Sequence, residues 1–321
     1  MNTVKSQVLA DAFECQKTPD VVPIWELEFH AWDSFSREHI VVGNEFARLT
    51  AKEQECALHH NADIMAHVAE ELSFFGVTVP GGYWEQSPGH PAFWWLPEPA
   101  RFRQITYLQH SLDDVMLIAG SAGVMAMPDA AGYMDFSVTM FEQPEKIDER
   151  AEQTFQHGID EATKLIDSGV QAVFTPSDIA DNHGPFFNPE QMQRFILPYL
   201  RKWAERIRDL GAYAILHTDG NIMPHLQEIA DSGIHALQAI DPTAGMDIRE
   251  VRKVGDTICL CGNIDCGLLL TGTADQVYDQ TAGLLRDLSG NGGFVLGASN
   301  AVQTDVPAEN YSAMIRAREA F

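Results

Sequence analysis

The second half of this chain repeats one unit, and the repeat narrows the folds open to it. IDSGVQAVFTPSD (residues 166–178) and ADSGIHALQAIDP (residues 230–242) share Asp-Ser-Gly, a β-branched residue, any residue, alanine and then a largely apolar run. That grammar predicts a helix ending at a glycine able to take positive φ, followed at once by a buried strand. RDLGAYAILH and SGNGGFVLGASN vary the same theme, and TICLCGNID (residues 257–265) is another short apolar strand with a polar exit. None of these runs alternates strictly, which is the pattern of strands covered on both faces of a parallel sheet.

Helices are expected between the strands. NPEQMQRFILPYLRKWAERIRDLG opens with Asn188 as N-cap, Pro189 at the first helical position and Gln191 three residues after the cap. Pro198 inside this stretch predicts a kink or a break. Thr273 caps a helix that ends near Gly290, and a last helix starts at about Pro307. Strand, polar exit, helix, glycine and next strand recur without a composition break. The fold expected is therefore a single α/β domain over residues 1–321, a (β/α)8 TIM barrel. The first half is less regular. After an N-terminal extension, VVPIWELEFH (residues 21–30) reads as the first strand, LTAKEQECALHHNADIMAHVAEEL as a helix and FFGVTVP as a strand. Residues 80–102, rich in Pro, Gly and Trp, read as a loop or hairpin excursion over the barrel mouth. Its AFWWLP is either a lid over an apolar cofactor face or a packed cover.

Composition removes whole classes of function. With 46 acidic against 21 basic residues, the formal charge of −25 has the wrong sign for nucleic acid and for anionic lipid. No run approaches the roughly 20 apolar residues of a membrane span, and the first residues lack the apolar core of a secretory signal. Five cysteines, an odd number, do not form a disulfide framework, and a reducing cytoplasm is the expected home. GSAGVMAMPDAAGY departs from the GxGxxG pattern, so dinucleotide binding is not expected.

In such barrels the C-terminal strand ends face one side, which carries the active site. The exits here are ELEFH (Glu26, Glu28, His30), AGSAG, SDIADNHG (Asp178, His183), HTDGN (His217, Asp219), IDP (Asp241), GNIDC (Asn263, Asp265, Cys266) and GASNAVQ (Asn300). They are rich in carboxylates, imidazoles and amides and hold no lysine or arginine. Such a mouth suits a neutral or cationic substrate, or a metal, better than a phosphate or a polycarboxylate. His217 and Asp219, two apart at a strand end, point to one side if the strand geometry persists. His217 is then a metal ligand or an acid/base, with Asp219 its orienting partner or a second ligand. The alternative is local: Asp219 caps the next helix and His217 bonds a backbone carbonyl. His217, Cys261 and a carboxylate would make a zinc site with one open position; otherwise Cys259, Cys261 and Cys266 are small buried residues. Glu28, His30 and His183 are further candidates for contact with a ligand.

The blocks HTDGNIMPHLQEIADSGIHALQAIDPTAGMDIREVRK, LCGNIDCGLLLTGTADQV and GASNAVQTDVPAENYSAMI, with TPSDIADNHGPFFNPEQMQRFILPYLRKW and PIWELEFH before them, resemble the uroporphyrinogen decarboxylase-like superfamily. The nearer branch is the one with corrinoid-dependent methyltransferases. The resemblance implies a barrel with its site in the mouth. True uroporphyrinogen decarboxylases carry an Arg-Gln-Ala-Gly-Arg motif after the first strand, where this chain has ELEFHAWDSFS. The zinc-dependent thiol methyltransferases use His-x-Cys, where this chain has His217-x-Asp219. What the resemblance then implies is an enzyme that moves a methyl group from a small O-, N- or S-methyl compound to a cob(I)alamin-type corrinoid on a partner protein, with zinc as a second cofactor. His217, Asp219 and Asp178 would activate the leaving group, and Asn263, Asp265 and Asn300 would orient the substrate. A lyase acting on a small non-porphyrin substrate and a non-catalytic corrinoid- or tetrapyrrole-binding protein are the alternatives. A homodimer is left open.

Overall fold

A computed structural model describes residues 5–16, 21–81 and 94–321. Seven parallel strands form one curled sheet in chain order: β1 (Gly76–Thr78), β2 (Met116–Gly120), β3 (Ala172–Pro176), β4 (Tyr213–Thr218), β5 (Ala236–Ala239), β6 (Cys259–Cys261) and β7 (Phe294–Val295). The helices between them lie along its outside, as parallel crossovers require. The two glycines of the repeated unit behave as their position demands, Gly169 at φ 104° and Gly233 at φ 90°.

The expected first strand is the main departure. Val21–His30 is not a continuous strand; only Ile24 and Phe29 form bridges, to Leu296 and Val302. Pro23 contributes no amide hydrogen, and a side chain takes over at Glu26, whose carbonyl accepts from Thr78 Oγ1 at 2.9 Å. Even so, this short segment joins the two edges of the sheet. The Leu296 amide donates to the Pro23 carbonyl at 2.9 Å, Trp25 to Leu296 at 3.1 Å and Phe75 to Ile24 at 2.9 Å. Edge amides that would otherwise face nothing are thereby paired, as closure of a TIM barrel requires.

The helix Lys5–Phe13 precedes this segment and covers the strands' N-terminal ends. Val8, Leu9 and Phe13 pack with Trp25, Phe75, Met116, Ile118, Phe174 and Ile215 in one buried cluster. At about 1.5–3 kcal/mol for each large side chain removed from water, this plug is a substantial part of the core. A Leu9→Ala change would cost roughly 2–5 kcal/mol.

Local signals on the other helices are met closely. Asn188 and Gln191 form a reciprocal capping box, as do Thr273 and Gln276. Before Pro198 the chain runs as a π-turn, Met192–Ile196, and then as the helix Leu197–Asp209. The wider turn absorbs the hydrogen bond that proline cannot make, so the stretch adjusts rather than breaks. Residues 82–93 of the expected excursion lie outside the described residues. Trp94 beyond them is buried, stacked on Trp32 at 6.3 Å and packed against the His30 ring at 5.0 Å, so this part of AFWWLP is a packed cover. Among the described residues no helix is long and apolar enough to cross a membrane.

Candidate active site in the barrel mouth

His217 lies one residue before the end of β4 and points inward with Tyr213 and Ile215, by the two-residue period of a strand. The register pairs it with Gln238 of β5, and the two side chains meet: His217 Nδ1 lies 2.6 Å from Gln238 Oε1. The other face of Gln238 is fixed, since its Nε2 donates to the Ala298 carbonyl at 3.3 Å. An amide oxygen only accepts, so a hydrogen bond at this contact needs the imidazole proton on Nδ1.

The turn after β4 then brings Asp219 to the same place. Its amide donates to Asp178 Oδ1 at 2.9 Å and its Oδ2 accepts from Asn300 Nδ2 at 2.6 Å. Gly220 lets the turn close: at φ 83°, a Cβ there would stand 2.5 Å from the Ala180 carbonyl group. Asn221, not Asp219, serves the next turn, its Oδ1 accepting from the Met223 amide at 3.1 Å. Both local alternatives for HTDGN thus fall away. The carboxylate binds another exit loop, and the imidazole binds a side chain.

Among the described residues, ligating atoms of Asp178, His217 and Asp219 all lie within 4.8 Å of one another. His217 Nε2 stands 3.9 Å from Asp178 Oδ1, beyond hydrogen-bond reach but inside strong electrostatic range. Burial pushes the Asp219 carboxyl up to about 6; Asp178 and Asp241 add to the rise, while His217 and the Asn300 hydrogen bond oppose it. A carboxyl poised there can hold a proton near neutrality and give it up to a group placed against it.

The other expected residues divide. Asn300 belongs to the site, as the residue that holds Asp219. Glu28 and His30 form a buried pair at 2.8 Å on the first exit. His30 lines a recess of about 250 Å³ together with Asp33, His39, Trp94 and Thr304. Cys261 is no partner of His217 in a metal site: it is level with His217, but Gln238 stands between them, and the thiol is buried in the apolar cluster with Cys259 and Val295. His183 turns away, its side chain 95% exposed in the Asp181–Gly184 turn. Asp265 caps the helix Cys266–Thr271 through the Leu268 amide. Asn263 spends its amide on the Ile240 carbonyl at 2.7 Å and lines a separate hollow beside Met246 and Gln280. A larger cavity, about 1020 Å³, lies against the helices Glu98–Ser111 and Pro144–Asp167 and contains none of the strand-exit residues.

Two functional residues escape sequence reasoning. Gln238 is one, although a lone amide inside the apolar run ALQA was the signal. Glu26 is the other, an exit residue to which the sequence assigns no role. It is fully buried, accepting from the Ala298 amide at 2.8 Å and from the Tyr311 hydroxyl at 2.7 Å. Burial pushes it up to about 8 against the pull of both hydrogen bonds.

Fold and site together define a protein of the parallel-barrel class with polar chemistry at the C-terminal strand ends. A model of the uroporphyrinogen decarboxylase (URO-D) family matches residues 100–321, and the chain belongs to that family. Among curated relatives, the uroporphyrinogen decarboxylase of Anaeromyxobacter dehalogenans (strain 2CP-C) is 25% identical over 190 residues, 59% of this chain and 52% of that protein. That of Legionella pneumophila (strain Lens) is 28% identical over 157 residues, 47% of this chain and 42% of that protein. The chain spans about half the length of the curated relatives it matches. A methyltransferase from Methanosarcina mazei shares the fold over 100% of this chain and 99% of its own, with a TM-score of 0.72 and 18% identity.

Proposed function

We propose that this protein is a methyltransferase that takes a methyl group from a small O-, N- or S-methyl compound and passes it to a corrinoid held by a partner protein. The observation that carries the reading is the convergence of Asp178, His217 and Asp219 in a mouth whose described exits hold no lysine or arginine. A porphyrinogen with many carboxylates would be repelled by such a mouth, whereas a neutral or cationic methyl donor would not. The whole-length likeness in fold to the Methanosarcina methyltransferase supports the same choice.

The corrinoid would supply the nucleophile that accepts the methyl carbon. This chain's part is to make the departing oxygen, nitrogen or sulfur a stable leaving group. Asp219, protonated below about pH 6 and steadied by Asn300, donates its proton to the leaving atom as the bond to the methyl carbon breaks. His217 Nε2 accepts a hydrogen bond from the substrate or takes the proton on. The donor set, one imidazole nitrogen and two carboxylates, also fits a divalent ion such as zinc without any thiolate. His217, Asp178 and Asp219 would hold it, and it would supply Lewis-acid polarisation of the leaving atom.

The test is anaerobic mixing of the protein with cob(I)alamin and a panel of methoxy-aromatics, methylamines, betaines and methylated sulfur compounds, with metal content measured on the same sample. Demethylated product from one class, absent with His217→Ala, is the result expected. Release of carbon dioxide from a small carboxylic acid without corrinoid would overturn the reading in favour of a lyase.

A further inference from the structure

The imidazole of His217 is held through a chain of groups that crosses three strand exits. Tyr311, on the helix Ala308–Glu319, donates its hydroxyl to Glu26 Oε1 at 2.7 Å. Glu26 Oε2 accepts from the Ala298 amide at 2.8 Å, while the carbonyl of that residue accepts from Gln238 Nε2 at 3.3 Å. Gln238 Oε1 faces His217 Nδ1 at 2.6 Å. Gln238 and Glu26 are both buried, at 2% and 3% exposure, so water does not compete for these bonds. Reversing the Gln238 amide would set its NH2 against His217 Nδ1 and its oxygen against the Ala298 carbonyl, two acceptors face to face. The order of donors along the chain therefore leaves one arrangement at Gln238.

We propose that Gln238 is a positioning residue that fixes His217 as the Nδ1–H tautomer and aims its Nε2 lone pair at the space between Asp178 and Asp219. In water a neutral imidazole favours a proton on Nε2, which would place a donor where the site needs an acceptor. A side chain without an oxygen at 238 would release that constraint. The use made of His217 rests on the function proposed above; its tautomer does not.

The experiment is 15N–1H NMR of the histidine ring nitrogens in the full chain at alkaline pH, where imidazoles are neutral, with His217 assigned by its absence from His217→Ala. Wild type is expected to show one tautomer, with Nδ1 protonated and Nε2 bare. Gln238→Leu, nearly the same shape, is expected to show averaged shifts moved towards Nε2–H. The ring spectra of the other histidines report whether each variant is folded. An Nε2–H ring in wild type, or an unchanged Nδ1–H ring in Gln238→Leu, would overturn the proposal. In the methyl-transfer assay Gln238→Leu should lower kcat about 10- to 100-fold, the range for residues that orient a site histidine, with KM little changed. The expected NMR pattern in a protein inactive with every methyl donor would uphold the tautomer assignment and reject the methyl-transfer reading alone.

Discussion

At the floor of the barrel, His235 lies beside the start of β5 and its Nδ1 accepts the Ala214 amide at 2.9 Å. At the mouth, His217 lies one residue before the end of β4 and its Nδ1 faces Gln238 Oε1 at 2.6 Å. Both rings are buried, and each stands within 4 Å of a carboxylate, Glu14 at 3.7 Å and Asp178 at 3.9 Å. The difference lies in what surrounds them. His235 sits by the apolar plug with Tyr213 packed edge-on at 4.9 Å, and burial pulls it down to about 4, with Arg208 adding to the fall. His217 has one nitrogen committed to a side chain and the other turned towards two acids. A histidine whose ring nitrogen serves the backbone at the floor is finished by the fold; one held by a side chain among two acids at the mouth is left with chemistry to do.

The sharpest way to break this contrast is to remove each ring in turn. His217→Ala should lower turnover about 100- to 10,000-fold with little change in melting temperature. His235→Ala should leave turnover nearly intact and cost about 1–2 kcal/mol of stability in a urea titration, because the Ala214 amide loses its acceptor. Equal losses of activity would erase the distinction between floor and mouth.

A second contrast concerns pH. Glu26 is raised in the folded protein from 4.5 to about 8, so the fold binds a proton there that the unfolded chain releases earlier. Its contribution is therefore most favourable below about pH 4.5 and is lost as pH rises towards 8. His235 runs the other way, lowered from 6.5 to about 4: its contribution is full above 6.5 and lost as pH falls towards 4. Glu26→Gln should remove the alkaline decline, leaving the variant more stable than wild type above about pH 8 by on the order of 3–5 kcal/mol. Chemical denaturation across pH measures this, and parallel curves for the two proteins would refute it.

The smallest effect expected is on Asp219. Asp219→Asn keeps an acceptor for Asn300 but has no acid proton, so turnover should fall about 100-fold, the low end for loss of a general acid. Wild-type rates should decline as pH rises through about 6, and the variant's profile should be flat there. A wild-type profile already flat through this range would remove Asp219 as the acid.

What the sequence revealed and what it hid follow from the range of the interactions. Asn188 with Gln191, Thr273 with Gln276, and Pro198 act within one or two turns of chain, and each was legible as written. His217, Asp219 and Asp178 were legible as a set because the exits of a parallel barrel meet on one side. The choice at Cys261 between a metal ligand and a small buried residue is not legible in sequence, because it depends on which strand stands between it and His217, and Asp265 is not legible because a cap and a ligand look alike. The closure at Pro23–Trp25 was hidden for the same reason: its hydrogen bonds reach residues some fifty and some 270 positions away. Gln238 lay in plain sight, but only its register opposite His217 gives it a meaning.

The plug formed by Lys5–Phe13 has a consequence for traffic. Among the described residues, Val8, Leu9 and Phe13 are wedged against the strand starts and close the floor of the barrel, which leaves the strand exits as the way in. Whatever reaches His217 comes in past the strand exits, and whatever is made there goes out by the same way. Under the proposed methyl transfer, donor and corrinoid would have to take turns at those exits, and a corrinoid protein docked across them would hold the methyl donor inside until it lifted off.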